Sequence, residues 1–132
     1  MSTTLIPSRI KFHNKSQSLE LAWEADAHLD GLFLSAEMLR VLSPSAEVRG
    51  HGKGNEVLQV GKKEVRITKL EPIGNYALKI HFDDGHDSGL YDWNYLHTLA
   101  HNTESLWKEY LDKLSAEGKS REPAQIQFKA ID

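Results

Sequence analysis

The sequence predicts an α+β fold: a small, mostly antiparallel β-sheet built of hairpins, a short helix after the third strand, and two helices near the C-terminus. Three observations carry this. Polar and apolar residues alternate from Arg9 to Glu24 and again from Glu64 to Phe82, the period of half-buried strands. Turn-forming residues separate these runs at Asn14-Lys-Ser-Gln17, Pro72-Ile-Gly-Asn75 and Asp83-Asp-Gly-His86. Beyond Tyr91 the apolar spacing changes to that of a helix.

Taken in order, Arg9–His13 and Ser18–Glu24 read as a hairpin, with Leu19, Leu21 and Trp23 on one face. Leu29–Leu34 reads as a short third strand. Ser35 is a natural N-cap for a helix over Ala36–Leu42 that turns Met38, Leu39 and Leu42 inward. Ser43-Pro-Ser-Ala46 stops it, and Arg49–Asn55 is a glycine-rich loop. Glu64–Leu70 and Tyr76–Phe82 are the clearest strands. Asp84-Gly85 predicts a two-residue hairpin into a short strand at Ser88–Tyr91. Trp93, Leu96, Leu99 and Ala100 mark one helix, and Leu106, Trp107, Tyr110, Leu111 and Leu114 a second. Residues 1–117 read as a single domain, and Gly118–Asp132, polar and without a period, as a flexible tail.

The 132 residues suffice for a core that needs no covalent staples. There is no cysteine, which excludes disulfides, iron–sulfur ligation by this chain alone and thiol catalysis. The formal charge of -3 and the scattered lysines and arginines argue against a nucleic-acid partner, whose phosphates call for a basic face. No apolar run approaches a membrane span, and Met1–Pro7 lacks the basic and apolar regions of a signal peptide. A cytoplasmic location is expected.

Several features stand together in a specific order. They are the tryptophan-ended strand Leu19–Trp23, Leu39-Arg40 before the loop, Gly74–Leu78, Asp84-Gly-His86, Gly89-Leu-Tyr-Asp-Trp93 and Leu96. In these, over about residues 9–101, the chain resembles the N-terminal domain of gamma-butyrobetaine hydroxylase, which also occurs alone in bacteria as a domain of unknown function. The resemblance implies a loop of the form Cys-Pro-Cys-Ala-x-Cys whose three thiolates, with the histidine of Asp-Gly-His, bind a structural zinc. Here Ser43, Ser45 and Val48 stand at the thiolate places and only His86 remains. Neutral hydroxyls are poor zinc ligands and valine is none. The zinc is therefore expected to be absent.

Each remaining candidate also has a plainer reading. His86, His51 and the carboxylates of Asp83, Asp84 and Asp87 could converge if the loop folds over the turn, giving an open site for weakly held Fe or Zn. The plainer reading is a hairpin turn facing a solvated loop. His97 and His101 stand four apart on a helix, but Thr98 occupies the place of a zinc protease's general base. They read instead as a core-border residue beside Trp93 and a helix-terminal residue. Gly50-His-Gly-Lys-Gly54 fails the P-loop spacing, and no nucleophile elbow exists.

The leading expectation is a non-catalytic binding or adaptor module, a monomer or loose homo-oligomer. The resemblance implies company with iron- and 2-oxoglutarate-dependent hydroxylases and with ATPases carrying iron–sulfur clusters, which this chain could assist only in trans. The expected surface comprises Arg40, Arg49, His51, Lys53, Asp84, His86 and Trp93. No cofactor is expected. The alternatives are a metal-binding protein using His86 and His51, and a small histidine-dependent enzyme.

Overall fold

The computed structural model describes residues 5–50, 54 and 56–123. Strands and helices follow one another in the expected order, three strands, a helical stretch, three strands and two helices, but the strands divide into two three-stranded antiparallel sheets. The first holds β1 (Arg9–His13), β2 (Ser18–Ala22) and β3 (Leu32–Ser35) in that order. The second holds β4 (Ile67–Ile73), β5 (Ala77–Phe82) and β6 (Leu90–Asp92). Register places Phe12, Leu19 and Leu34 side by side on one face of the first sheet, and Leu78 beside Tyr91 in the second. These faces meet in one core with Met38, Leu39, Leu96 and Leu99. Each apolar side chain there is removed from water, which contributes about 1.5–3 kcal/mol apiece before conformational entropy is set against it.

The two sheets are also joined by a polar tie. Gln17 is buried in the β1–β2 turn with φ +53°, and its side chain accepts from the Ile67 N–H at 2.7 Å. Its amide donates back to the Asn14 carbonyl at 2.7 Å, so both ends of the buried group are satisfied.

Local chemistry explains the other boundaries. β2 stops at Ala22 because a 3-10 turn, Glu24–Asp26, follows; Trp23 still points into the core, 3% exposed. β3 begins later than expected, after Gly31 at φ +114°. Helix α1 (Ala36–Val41) is capped by Ser35, whose hydroxyl accepts from the Met38 N–H at 3.0 Å. A short α2 (Ala46–Arg49) was not foreseen. Pro72 lies inside β4, tolerated because β4 is an edge strand. The expected two-residue hairpin after β5 is instead the longer loop 83–89, closed by Phe82 N–H to the His86 carbonyl at 3.0 Å. Asp84-Gly85 forms a turn, but His86 is drawn inward, away from the partner strand.

Helices α3 (Trp93–His101) and α4 (Thr103–Ala116) lie where the periodicity placed them. α4 ends in a two-bond cap: Gly118 N–H to Ser115 and Lys119 N–H to Leu114, with Gly118 at φ +64°. That cap reverses the chain. Residues 120–122, the start of the stretch 118–132 read from sequence as a flexible tail, dock, and residues 124–132 of that stretch lie outside the described residues. Ser120 and Arg121 accept from the Gly61 and Lys63 N–H groups, and Arg121 grips the buried Glu37 with two bonds of 2.7 and 2.6 Å. No helix among the described residues is long and apolar enough to cross a membrane.

Candidate functional site

The α1–α2 loop and the loop after β5 fold onto each other. His86, 6% exposed, is driven between them. Its Nε2 lies 2.8 Å from Ser43 Oγ and 3.4 Å from Ser45 Oγ, and its Nδ1 lies 3.0 Å from Glu47 Oε2. An ionised carboxylate only accepts, so in the neutral ring Nδ1 carries the proton and Nε2 accepts from the Ser43 hydroxyl.

Neighbouring groups lock this clasp. Tyr91 donates its hydroxyl to the Leu39 carbonyl, and Tyr95 donates to Leu42 at 2.6 Å. Together they satisfy carbonyls left open where α1 ends. Burial pushes the Tyr91 hydroxyl pKa up, so it stays a donor. Gly89 passes so close that a Cβ there would meet Ser43 Oγ at 2.4 Å. Val48, 7% exposed, packs beneath.

The donor set does not fit a structural zinc. Of the four places, Val48 offers no donor atom, Ser43 and Ser45 offer neutral hydroxyls, and both ring nitrogens of His86 already have partners. Hydrogen bonds do the joining. Ser43, His86 and Glu47 have the connectivity of a nucleophilic triad; Ser43 borders the neighbouring cleft but is 1% exposed, its hydroxyl turned to His86.

Next to the clasp sits an ion-pair knot. Asp84 Oδ2 accepts from Arg40 Nε at 2.8 Å and from Lys62 Nζ at 2.6 Å, while Oδ1 accepts from the His86 N–H at 3.1 Å. Burial pulls the Asp84 pKa upward. Lys62, the His86 N–H and Arg40 outweigh it and hold it at about 2, against an ordinary 3.8.

The expected surface is thus only partly a surface. Arg40 is 7% exposed and pairs inward; Trp93 is 7% exposed and donates Nε1–H to the Asn75 carbonyl at 2.7 Å. Both belong to the interior, because their long side chains complete the core against which the loops rest. The carboxylates do not converge on a metal site with His86: Asp83 accepts from the Arg66 N–H, Asp84 joins the knot, and exposed Asp87 lies 3.8 Å from His81. His51 and Lys53 lie outside the described residues. Of the expected surface residues that are described, Arg49 and Asp84 are exposed, and the Arg49 guanidinium lies 4.8 Å from the Tyr95 ring centre.

Glu47, Tyr91, Tyr95, Lys62 and Gly89 were not singled out as site residues from sequence. Gly89 and Tyr91 stood in the family-like run, but nothing in the sequence marks their contact with residues some fifty positions away. Arg49 and Val48 border an open cleft of about 780 Å3 between the end of α1, residues 56–59 and α4. Val57, Leu58, Tyr95, Leu106 and Tyr110 give it an apolar lining.

Fold and clasp define a small two-sheet α+β domain in which a buried histidine joins two loops. The chain belongs to the family described as gamma-butyrobetaine hydroxylase-like, N-terminal, whose model matches residues 10–97. Two NMR solution structures are similar over 98% of this chain. One is 49% identical with a TM-score of 0.80 over 99% of its own length, and the other 44% identical with 0.76 over 97%. A crystal structure of a DUF971-family protein of unknown function from Acidithiobacillus ferrooxidans is 34% identical, with a TM-score of 0.57 over 72% of this chain and 92% of that one. No functionally curated protein matches the chain.

Proposed function

We propose that the chain is a non-catalytic binding module that receives an apolar segment of a protein partner in the cleft beside the clasp. One observation carries this reading: the clasp buries its reactive groups while the adjoining cleft stays open. Ser43 and His86 are shut off from solvent, whereas Val57 is 53% exposed on the cleft wall. Exposed apolar area of this kind beside rim charges suits partner recognition. Arg49, at the mouth, adds a cation held flat over Tyr95, positioned for a carboxylate on the incoming segment.

The partner class follows from the company that family resemblance implies: iron-dependent hydroxylases or iron–sulfur ATPases, served in trans. The clasp acts as the rigid floor that holds α2 and so sets the cleft's shape.

The test is crosslinking and copurification from native cells with wild-type chain, Val57→Asp and Arg49→Glu. Both residues are exposed, so the variants fold. Loss of the same partner from both supports the reading. An unchanged set of copurifying proteins overturns it.

A further inference from the structure

Apart from the clasp, three side chains from two distant parts of the sequence meet. Asp26 sits on the 3-10 turn after β2, and His97 and His101 sit one turn apart on α3. Asp26 Oδ2 lies 3.0 Å from His97 Nε2 and 2.9 Å from His101 Nε2, and the three ligand atoms all lie within 4.8 Å of one another. The two imidazoles are 4.2 Å apart, centre to centre.

We infer that Asp26, His97 and His101 form a binding site for one borderline divalent cation, of the class represented by Zn(II).

The geometry suits an ion. Metal–nitrogen and metal–oxygen bonds of about 2.1 Å place neighbouring ligand atoms roughly 3.0–3.4 Å apart at octahedral or tetrahedral angles. Of the two carboxylate–imidazole separations, 3.0 Å meets the short end of that span and 2.9 Å lies just below it, so the ligands part slightly to admit an ion. An ion seated among the three atoms replaces two hydrogen bonds by three coordinate bonds and leaves the backbone where it is.

The donors select the class of ion. Two imidazoles and one carboxylate favour zinc and its first-row neighbours over magnesium or calcium, which take oxygen ligands. Two imidazolium rings this close to each other would repel, and a single carboxylate neutralises only one of them. A cation bound by neutral rings removes that conflict.

The ligands are also held in place. Trp23 meets the His97 ring edge-on at 4.8 Å and 89°, and its own indole N–H donates to the Leu5 carbonyl at 2.8 Å. Asp26 is fixed by backbone bonds on both sides, its N–H to Trp23 and its carbonyl from Leu29. Such support of ligands by a second layer of contacts raises metal affinity. The site stays reachable: the side chains of Asp26, His97 and His101 are 14, 22 and 32% exposed. Three protein ligands leave positions open for water or a further ligand. Two imidazoles and a carboxylate, the donor set the sequence suggests around His86 and His51, thus meet at Asp26, His97 and His101.

Zn(II) titration of the untagged full chain, followed by calorimetry and by the histidine ring signals in NMR, tests the site. The expected result is one equivalent bound, with the His97 and His101 signals moving and those of His86 unmoved. Asp26→Asn and His101→Ala each weaken binding about tenfold or more, about 1.4 kcal/mol per tenfold. His81→Ala, on the far sheet, leaves binding as it was. Amide NMR spectra of the variants, unchanged beyond the substituted neighbourhood, show that loss of binding is not loss of fold. Absence of binding by the wild type at millimolar Zn(II), or full affinity retained by either site variant, overturns the inference.

Discussion

Ser43 Oγ donates to His86 Nε2 across 2.8 Å, at a place where the family resemblance implies a cysteine and a zinc ligand facing each other. Two groups that would share an ion touch directly instead. A serine–histidine bond is shorter than a path through a metal, and Gly89 packs against the same hydroxyl with no room for a side chain.

Removing the hydroxyl should therefore cost more than one average hydrogen bond. Ser43→Ala leaves the buried Nε2 of His86 without its main acceptor interaction, and only Ser45, 3.4 Å away, stands near. A loss of about 1–3 kcal/mol is expected from denaturant unfolding. EDTA added to the wild type should leave the clasp intact, whereas a variant carrying Ser43→Cys, Ser45→Cys and Val48→Cys should gain Zn(II) and become chelator-sensitive. A wild type that unfolds in EDTA would contradict the hydrogen-bonded clasp.

Gly89→Ala places a methyl group 2.4 Å from Ser43 Oγ and 3.2 Å from both Pro44 Cδ and Tyr91 Cε1. The hydroxyl must rotate away and give up His86. Destabilisation of about 2 kcal/mol is expected. Because one cause underlies both losses, the double variant Ser43→Ala/Gly89→Ala should cost clearly less than the sum of the singles. Strict additivity in a double-mutant cycle would show that Gly89 matters for another reason.

Asp84 makes stability fall in acid. Its carboxyl is held at about 2 against an ordinary 3.8, so its ionised form favours the folded state. The contribution, about 1 kcal/mol once solvent screening of this exposed group is counted, is complete above the unfolded value and fades as pH drops from roughly 4 towards 2. Asp84→Asn should flatten the stability profile in that window and leave Arg40 without its carboxylate. Equal acid sensitivity of variant and wild type in urea unfolding would refute the assignment.

Arg121 should matter although it lies beyond the last helix. It makes two short bonds to Glu37, which is buried, and lies 5.1 Å from the Trp107 ring centre. Arg121→Ala leaves a buried carboxylate unpaired, at an expected cost of about 2 kcal/mol. Arg121→Ala combined with Glu37→Gln should recover part of it, because the unpaired charge is gone. No change in thermal midpoint on Arg121→Ala would show that the docked segment contributes nothing.

The sequence by itself determined the class of fold, the β1–β2 hairpin, the Ser35 cap and helices α3 and α4. Each rests on chemistry within a few positions: alternation, a cap hydroxyl, an apolar stripe. It also showed, through Ser43, Ser45 and Val48, that a thiolate zinc site could not form. Only the tertiary structure decided what took its place. Glu47 reaches His86, Lys62 reaches Asp84, Arg121 reaches Glu37 and Asp26 reaches His97 and His101, over separations of 39, 22, 84, and 71 and 75 residues. No local pattern encodes such meetings. They arise when two sheets pack on one core and bring remote polar groups within bonding distance. For the same reason Arg40 and Trp93, polar or aromatic enough to suggest a surface, proved to be interior.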